Sequence, residues 1–145
     1  MQSAVNPVLI SVHPSFATEI ANGRKRVEFR RRWPRAEIDV AVIYATSPLK
    51  AIVAVVRIDE VVRAGNTQLW DLSKAYGGSV TRTTLREYMS GLEQGVALLL
   101  GQRVAPDHAL SPKDVFGDSF VAPQSFRYLR AEEVDALVEC VGRGR

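Results

Sequence analysis

Cysteine, histidine and long apolar runs are all scarce in this sequence. Among 145 residues there is one cysteine, Cys140, and there are two histidines, His13 and His108, far apart along the chain. A single thiol excludes an internal disulfide and makes a reduced, cytoplasmic setting the default. So few His and Cys residues also exclude the ligand spacings of a structural zinc site, so no metal residue is assigned. Neither a glycine-rich phosphate loop nor a nucleophile elbow is present, so no cofactor is evident, and dependence on a divalent metal is left open. No apolar run approaches the ~18 residues that span a bilayer, so no membrane partner is expected. Met1 to Pro7 lacks a basic segment followed by an apolar stretch, so no secretory leader is expected.

What is present is ordinary globular material. The chain is 46% hydrophobic and 24% charged, which fits one folded domain over residues 1–145. The net charge of +3 hides a strong asymmetry. Arg24, Lys25, Arg26, Arg30, Arg31, Arg32 and Arg35 crowd into twelve residues with Glu28 as the lone acid, and the remainder of the chain is net negative. Exposed cations about 4 Å apart repel by roughly 1 kcal/mol, less in salt. A phosphate backbone would relieve that repulsion and release counterions, whereas a solvated strand and turn would leave it to water.

Val8 to Val12 is apolar and β-branched, and reads as a buried strand. Pro14 opens a short helix that Gly23 ends. From Lys25 to Arg31 the pattern alternates. Lys25, Val27 and Phe29 point one way, with Lys25 at the rim of a core-facing side; Arg26, Glu28 and Arg30 point the other. Trp33-Pro34 breaks this strand. Val40 to Ala45 and the long run Ala51 to Val62 read as strands joined by a turn through Pro48 and Lys50. Leu69, Leu72 and Tyr76 mark one helix, closed by Gly77-Gly78; Leu85, Tyr88 and Met89 mark a second. Val96 to Leu100 is a further strand, residues 105–120 an irregular connection, Phe126 to Leu129 a last strand, and Ala131 to Val141 a last helix. Strands and helices mix without a βαβ rhythm, which predicts an α+β fold with a curved sheet or small barrel.

Several residues stand out for chemistry. Glu28 and Arg30 share a strand face and could form a structural ion pair, read a base, or take part in catalysis. Trp33, beside Arg31 and Arg32, could stack on a base or pack in the core; Trp70, at helical spacing, fits the core better. Tyr44 ends a strand and Lys50 follows a loop, positions where barrels expose functional groups. Ser125 could orient a phosphate or a hydroxyl, or cap its own backbone. His13, just before a helix, fits a local contact.

The stretch Gly23-Arg24-Lys25-Arg26-Val27-Glu28-Phe29-Arg30 has the form G-x-K-x-x-E-x-R. With Leu9 to Pro14, Tyr44-Ala45-Thr46-Ser47, Lys50 and Pro123-Gln124-Ser125-Phe126, it resembles the ASCH family of the PUA-like superfamily over residues 8–130. The resemblance implies a PUA-like small β-barrel of mixed strands with flanking helices beside a cleft. It also implies a role with RNA that is single-stranded or locally unpaired. Lys25, Glu28, Arg30, Arg31, Arg32 and Trp33 would contact the nucleic acid. If the protein is a ribonuclease, Tyr44, Lys50 and Ser125 would carry the chemistry. Two alternatives are a non-catalytic RNA- or protein-interaction module in transcription or translation, and an amidohydrolase acting on an acetylated nucleoside. That last branch is similar in its lysine but places a threonine nucleophile three residues on, where this sequence has Glu28. A carboxylate does not replace a hydroxyl in acyl transfer.

Overall fold

The structure, a computed structural model, describes residues 4–143; residues 1–3 and 144–145 lie outside it. In chain order the elements are β1 (Val8–Val12), α1 (Pro14–Ala21), β2 (Val27–Arg30), β3 (Val40–Ala45), β4 (Ala51–Ala64), α2 (Asn66–Tyr76), α3 (Arg82–Tyr88), β5 (Gly95–Val104), α4 (Pro112–Phe116), β6 (Phe126–Tyr128) and α5 (Ala131–Arg143). The six strands form one mixed sheet in the order β2-β5-β4-β3-β1-β6. Only β1 and β3 run parallel; every other pairing is antiparallel.

The sheet is a half-barrel, and β4 is the strand on which it turns. Its first half pairs with β3 and its second half with β5, with register shifts between Val56 and Ile58 and between Ile58 and Glu60. Bulges of this kind bend a strand and raise its twist. The expected curved mixed sheet with flanking helices is therefore what the chain forms.

Three apolar cores follow from strand alternation. Val8, Ile10 and Val12 of β1 join Ala41 and Ile43 of β3, Val96 and Leu98 of β5, and Ala17 and Ile20 of α1 in the inner core. Leu9, Val42 and Tyr44 point to the other face, under α4 and α5. Val27, Phe29 and Ala97 form a third cluster with Leu69 of α2, Leu85 of α3 and Met89, which caps α3. Both faces of β1 and β3 are covered, which explains their nearly unbroken apolar sequences.

The boundaries read from sequence hold for most elements, with three differences. The strand expected from Lys25 begins at Val27. The fifth strand runs on to Val104. Residues 105–120 are not wholly irregular: Leu110 bridges to Ile52, and Pro112 opens the five-residue α4.

Glu133 fixes the start of α5. One carboxylate oxygen accepts from the Arg130 backbone N–H at 2.9 Å, and Arg127 holds both oxygens in a fork at 3.1 and 2.8 Å. The first is the return half of a capping box; the second is the bidentate geometry that suits arginine. The Arg127 hydrogen bonds lower the Glu133 carboxyl to about 2, against burial, which raises it. A depressed carboxyl stabilises the fold above its unfolded value of roughly 4.3, and that contribution is lost as pH falls through the folded value. Glu133→Gln should therefore cost about 1.5–3 kcal/mol at pH 7. The difference from wild type in urea unfolding should shrink steadily from pH 4.5 towards pH 2; a constant difference would refute this account.

Candidate active site

The site lies at the carboxyl ends of the parallel strands β1 and β3. β1 delivers His13, exposed, as the N-cap of α1: its Nδ1 accepts from the Ser15 backbone N–H at 3.2 Å. That bond places the neutral ring's proton on Nε2, and His13 acts as a local cap. In the parallel register Ser11 lies opposite Tyr44. Ser11 donates its backbone N–H to the Ser125 carbonyl at 2.9 Å and its Oγ to the Pro123 carbonyl at 2.7 Å. The Pro-Gln-Ser segment is thus stitched to β1 beside Tyr44.

Tyr44 is 5% exposed, its ring 5.6 Å from that of Phe120. Its hydroxyl has no hydrogen-bond partner among the described residues. The only partnerless side-chain atom there that is cut off from solvent is Trp33 Nε1, so Tyr44 Oη still meets water. Lys50 is exposed at the same end of the β3–β4 hairpin, where Ala45 pairs with Ala51 and Tyr44 with Ile52. It has positive φ, +48°, its backbone N–H donates to the Thr46 carbonyl, and its ammonium has no ion-pair partner among the described residues.

Arg30 joins this end to the far edge of the sheet. Its guanidinium donates to Glu28 Oε2 at 3.1 Å, to the Ser11 carbonyl at 3.2 Å, to the Ser125 carbonyl at 3.2 Å and to Ser125 Oγ at 2.7 Å. Because Ser125 Oγ accepts from Arg30, its own proton is free to be donated outward. Ser125 is exposed, whereas Glu28 and Arg30 are buried. The other Glu28 oxygen lies 3.9 Å from Lys25 Nζ. Glu28 and Arg30 thus form the buried ion pair that was one of their open readings.

Lys25 and Trp33, both expected to touch nucleic acid, sit inside. Lys25 is 2% exposed. Its ammonium donates to the Gly78 carbonyl and lies over the rings of Phe16 at 4.8 Å and Phe29 at 5.4 Å. Burial lowers its pKa, opposed by the charges of Glu28 and Glu19. Trp33 is 7% exposed and packs in the inner core, 5.3 Å from Phe126. Both flank β2, an edge strand whose two faces are covered: Lys25 precedes it and Trp33 follows it. Trp33 then fills the gap between the end of β2 and β6.

The basic segment is also less free than its composition suggests. Arg31 donates to the Tyr88 and Ser90 carbonyls at the end of α3, and Arg24 lies 3.9 Å from Glu19. Only Arg26, Arg32 and Arg35 of that segment have side chains without a hydrogen-bond or ion-pair partner among the described residues.

Two participants were not foreseen. Tyr88, read as a helix-face residue, is 42% exposed, and its phenol lies near Glu28 and Arg30. Its pKa is raised by burial, against the lowering effect of Arg30. Gly78, read as a helix stop, supplies the carbonyl that holds Lys25. A Cβ there would come within 2.0 Å of Ser73 Oγ and 3.0 Å of the Phe29 ring. The Gly77-Gly78 pair gave the only sequence signal, and it spoke for a turn. Among the described residues no group of three or more His, Cys, Asp or Glu side chains could hold a metal ion.

Comparison with known proteins bears on the family and the fold. The ASCH domain family model matches residues 10–97. A protein described as an ASCH domain-containing ribonuclease, from Zymomonas mobilis subsp. mobilis, is 34% identical over 135 residues, 90% of this chain and 88% of that one. The crystal structure of ASCH from Zymomonas mobilis matches with a TM-score of 0.82 at 30% identity, covering 92% of this chain and 94% of that one. Crystal structures of two mutants of that protein, one tyrosine-to-phenylalanine and one serine-to-alanine, match with the same TM-score at 29% identity. They cover 93% of this chain and 98% and 96% of theirs.

The ion pair makes a sharp stability prediction. Arg30→Met leaves Glu28 buried beside Lys25 alone and releases Ser125, and should cost about 3–5 kcal/mol. Ser125→Ala removes one of four acceptors and should cost about 1 kcal/mol. Chemical denaturation that ranked these two equally would contradict the arrangement.

Proposed function

The chain belongs to the ASCH domain family, and from that footing we propose that it binds single-stranded or locally unpaired RNA and cleaves it. The observation that carries the reading is the meeting of Arg30, Ser125, Tyr44 and Lys50 at one end of the half-barrel. Cleavage by the ribose 2′-hydroxyl needs a group to take its proton, a group to protonate the departing 5′-oxygen, and donors for the phosphoryl oxygens. Tyr44 and Lys50 form the proton-transfer pair, both with polar tips reaching solvent. Ser125, held by Arg30, directs its hydroxyl proton at a phosphoryl oxygen. Arg30, anchored by Glu28, is the fixed positive charge behind it, and Lys25 positions Glu28.

The relative of 34% identity supports this reading by its description as a ribonuclease. The two mutant structures support it by residue type, since they remove a tyrosine and a serine hydroxyl. Arg32 and the neighbouring free arginines guide the strand in. The reaction as proposed draws on protein groups alone, so cleavage should survive EDTA.

Three single changes test the chemistry: Tyr44→Phe, Lys50→Met and Ser125→Ala. Loss of a positioned proton-transfer group should lower single-turnover cleavage at saturating RNA by about 10²–10⁴. Lys50→Met is the sharpest, because methionine nearly keeps the length and removes charge and proton. Full cleavage by a folded Lys50→Met protein would remove Lys50 from the chemistry. Binding should weaken with salt at about −0.7 in log–log slope for each phosphate contacted, near −2 for three contacts. A flat response would count against RNA.

The position of Glu28 bears on the acetylated-nucleoside alternative. Its carboxylate is tied to Arg30 and Lys25 and offers no hydroxyl nucleophile. Release of acetate from N4-acetylcytidine should therefore not exceed the rate without protein. Turnover clearly above it would favour the amidohydrolase reading.

A further inference from the structure

A second basic feature lies outside the site, between α2 and α3. A pocket of about 120 Å³ is lined by Asn66, Thr67, Trp70, Arg82, Leu85 and Arg86. At ~30 Å³ per water that is room for about four waters, or for one flat ring. Trp70 is half-buried and borders the third apolar core, while Arg82 and Arg86 are exposed. Neither guanidinium has a hydrogen-bond or ion-pair partner among the described residues. The two stand at i and i+4 on α3, a spacing at which like charges repel. The fold thus keeps two unneutralised arginines beside an indole in a concave place.

α3 connects this pocket with the site. Its last carbonyls, of Tyr88 and nearby Ser90, are held by Arg31, and the Tyr88 phenol lies near Glu28 and Arg30. From Arg82 to Tyr88 the helix rises about 9 Å at 1.5 Å per residue. A stacked strand advances about 3.4 Å per nucleotide, so the interval takes about three steps, or about four nucleotides.

We propose that this pocket is a subsite for a nucleotide flanking the cleavage point, with a base on Trp70 and adjacent phosphates on Arg82 and Arg86. The inference rests on the RNA reading above and extends it: the protein takes hold of an RNA at two places. Indole stacking tolerates any base, so this subsite adds affinity and a length preference with little choice of sequence. Lys74, 5.9 Å from the Trp70 ring and 3.6 Å from Asp71, already occupies part of the indole surroundings and would pass to the incoming phosphate or to Asp71.

The test uses the full chain, an unstructured ten-nucleotide RNA, a trinucleotide and inorganic phosphate. Trp33 is buried and Trp70 half-exposed, so quenching of tryptophan emission reports on Trp70. The decamer should quench emission, and inorganic phosphate at matched ionic strength should not. The double change Arg82→Gln, Arg86→Gln should reduce the salt slope for the decamer by about 1.4, two contacts' worth. Trp70→Leu, which keeps an apolar side chain on the core side, should weaken decamer binding roughly 5- to 150-fold, the range of one lost stacking contact. The trinucleotide, too short to span both places, should bind more weakly than the decamer by more than its fewer phosphates explain. If wild type binds the decamer with no quenching and the arginine variant keeps its slope, the subsite is refuted while the RNA reading stands. If wild type binds no RNA at low salt, both fall. Equal quenching by inorganic phosphate would make the pocket an anion site and refute the nucleotide assignment.

Discussion

The buried pair of Glu28 and Arg30 is the constraint on which the rest depends. The sheet is open: β2 forms one edge and β6 the other, with β1 next to it. Among the described residues no backbone ladder joins the two edges. Arg30 reaches from β2 to the carbonyl of Ser11 on β1 and to both oxygens of Ser125, just before β6. Three hydrogen bonds from one guanidinium thus do what a strand pairing would do in a closed barrel. Glu28 makes this tolerable in the interior, because a buried guanidinium without a carboxylate would carry several kcal/mol of unrelieved desolvation. Trp33 and Phe126 add an apolar contact across the same seam.

That arrangement changes what the basic segment means. Charge counted along a sequence suggests a uniform patch, but the fold sorts these cations by role. Arg30 closes the sheet, Lys25 holds Glu28 and the Gly78 carbonyl, and Arg31 secures the end of α3. The positive surface left for a polyanion is smaller and comes from Arg26, Arg32 and Arg35, with Lys50 across the hairpin. For the RNA-binding role proposed above, charge alone then contributes modestly, and the rigid interior pair fixes the place.

Most elements were legible because their signals are local. Apolar β-branched runs marked β1, β3 and β4; Pro14 and Gly23 bracketed α1; the spacing of Leu69 and Leu85 marked α2 and α3. The G-x-K-x-x-E-x-R stretch pointed to the family, which the family model over residues 10–97 bears out. What it could not show was which way its residues face once both sides of an edge strand are covered. Trp33 looked like a stacking surface beside two arginines, and only the seam between sheet edges explains its burial. Tyr88 and the Gly78 carbonyl were invisible for the same reason, since each meets β2 from more than fifty residues away. Residues 105–120 hid a one-turn helix because five residues carry too little periodicity to register.

The bond between Arg30 and Ser125 spans 95 residues of sequence. Contacts of such separation form late, after loop closure has been completed elsewhere. During synthesis the first hundred residues can lay down β1 to β4 and the helices between them, yet Arg30 then has only Glu28 and Ser11 as partners. The final two acceptors arrive when the segment around Ser125 leaves the ribosome. A growing chain therefore carries a half-satisfied Arg30, and its sheet edges stay unjoined there, until the segment around Ser125 has emerged.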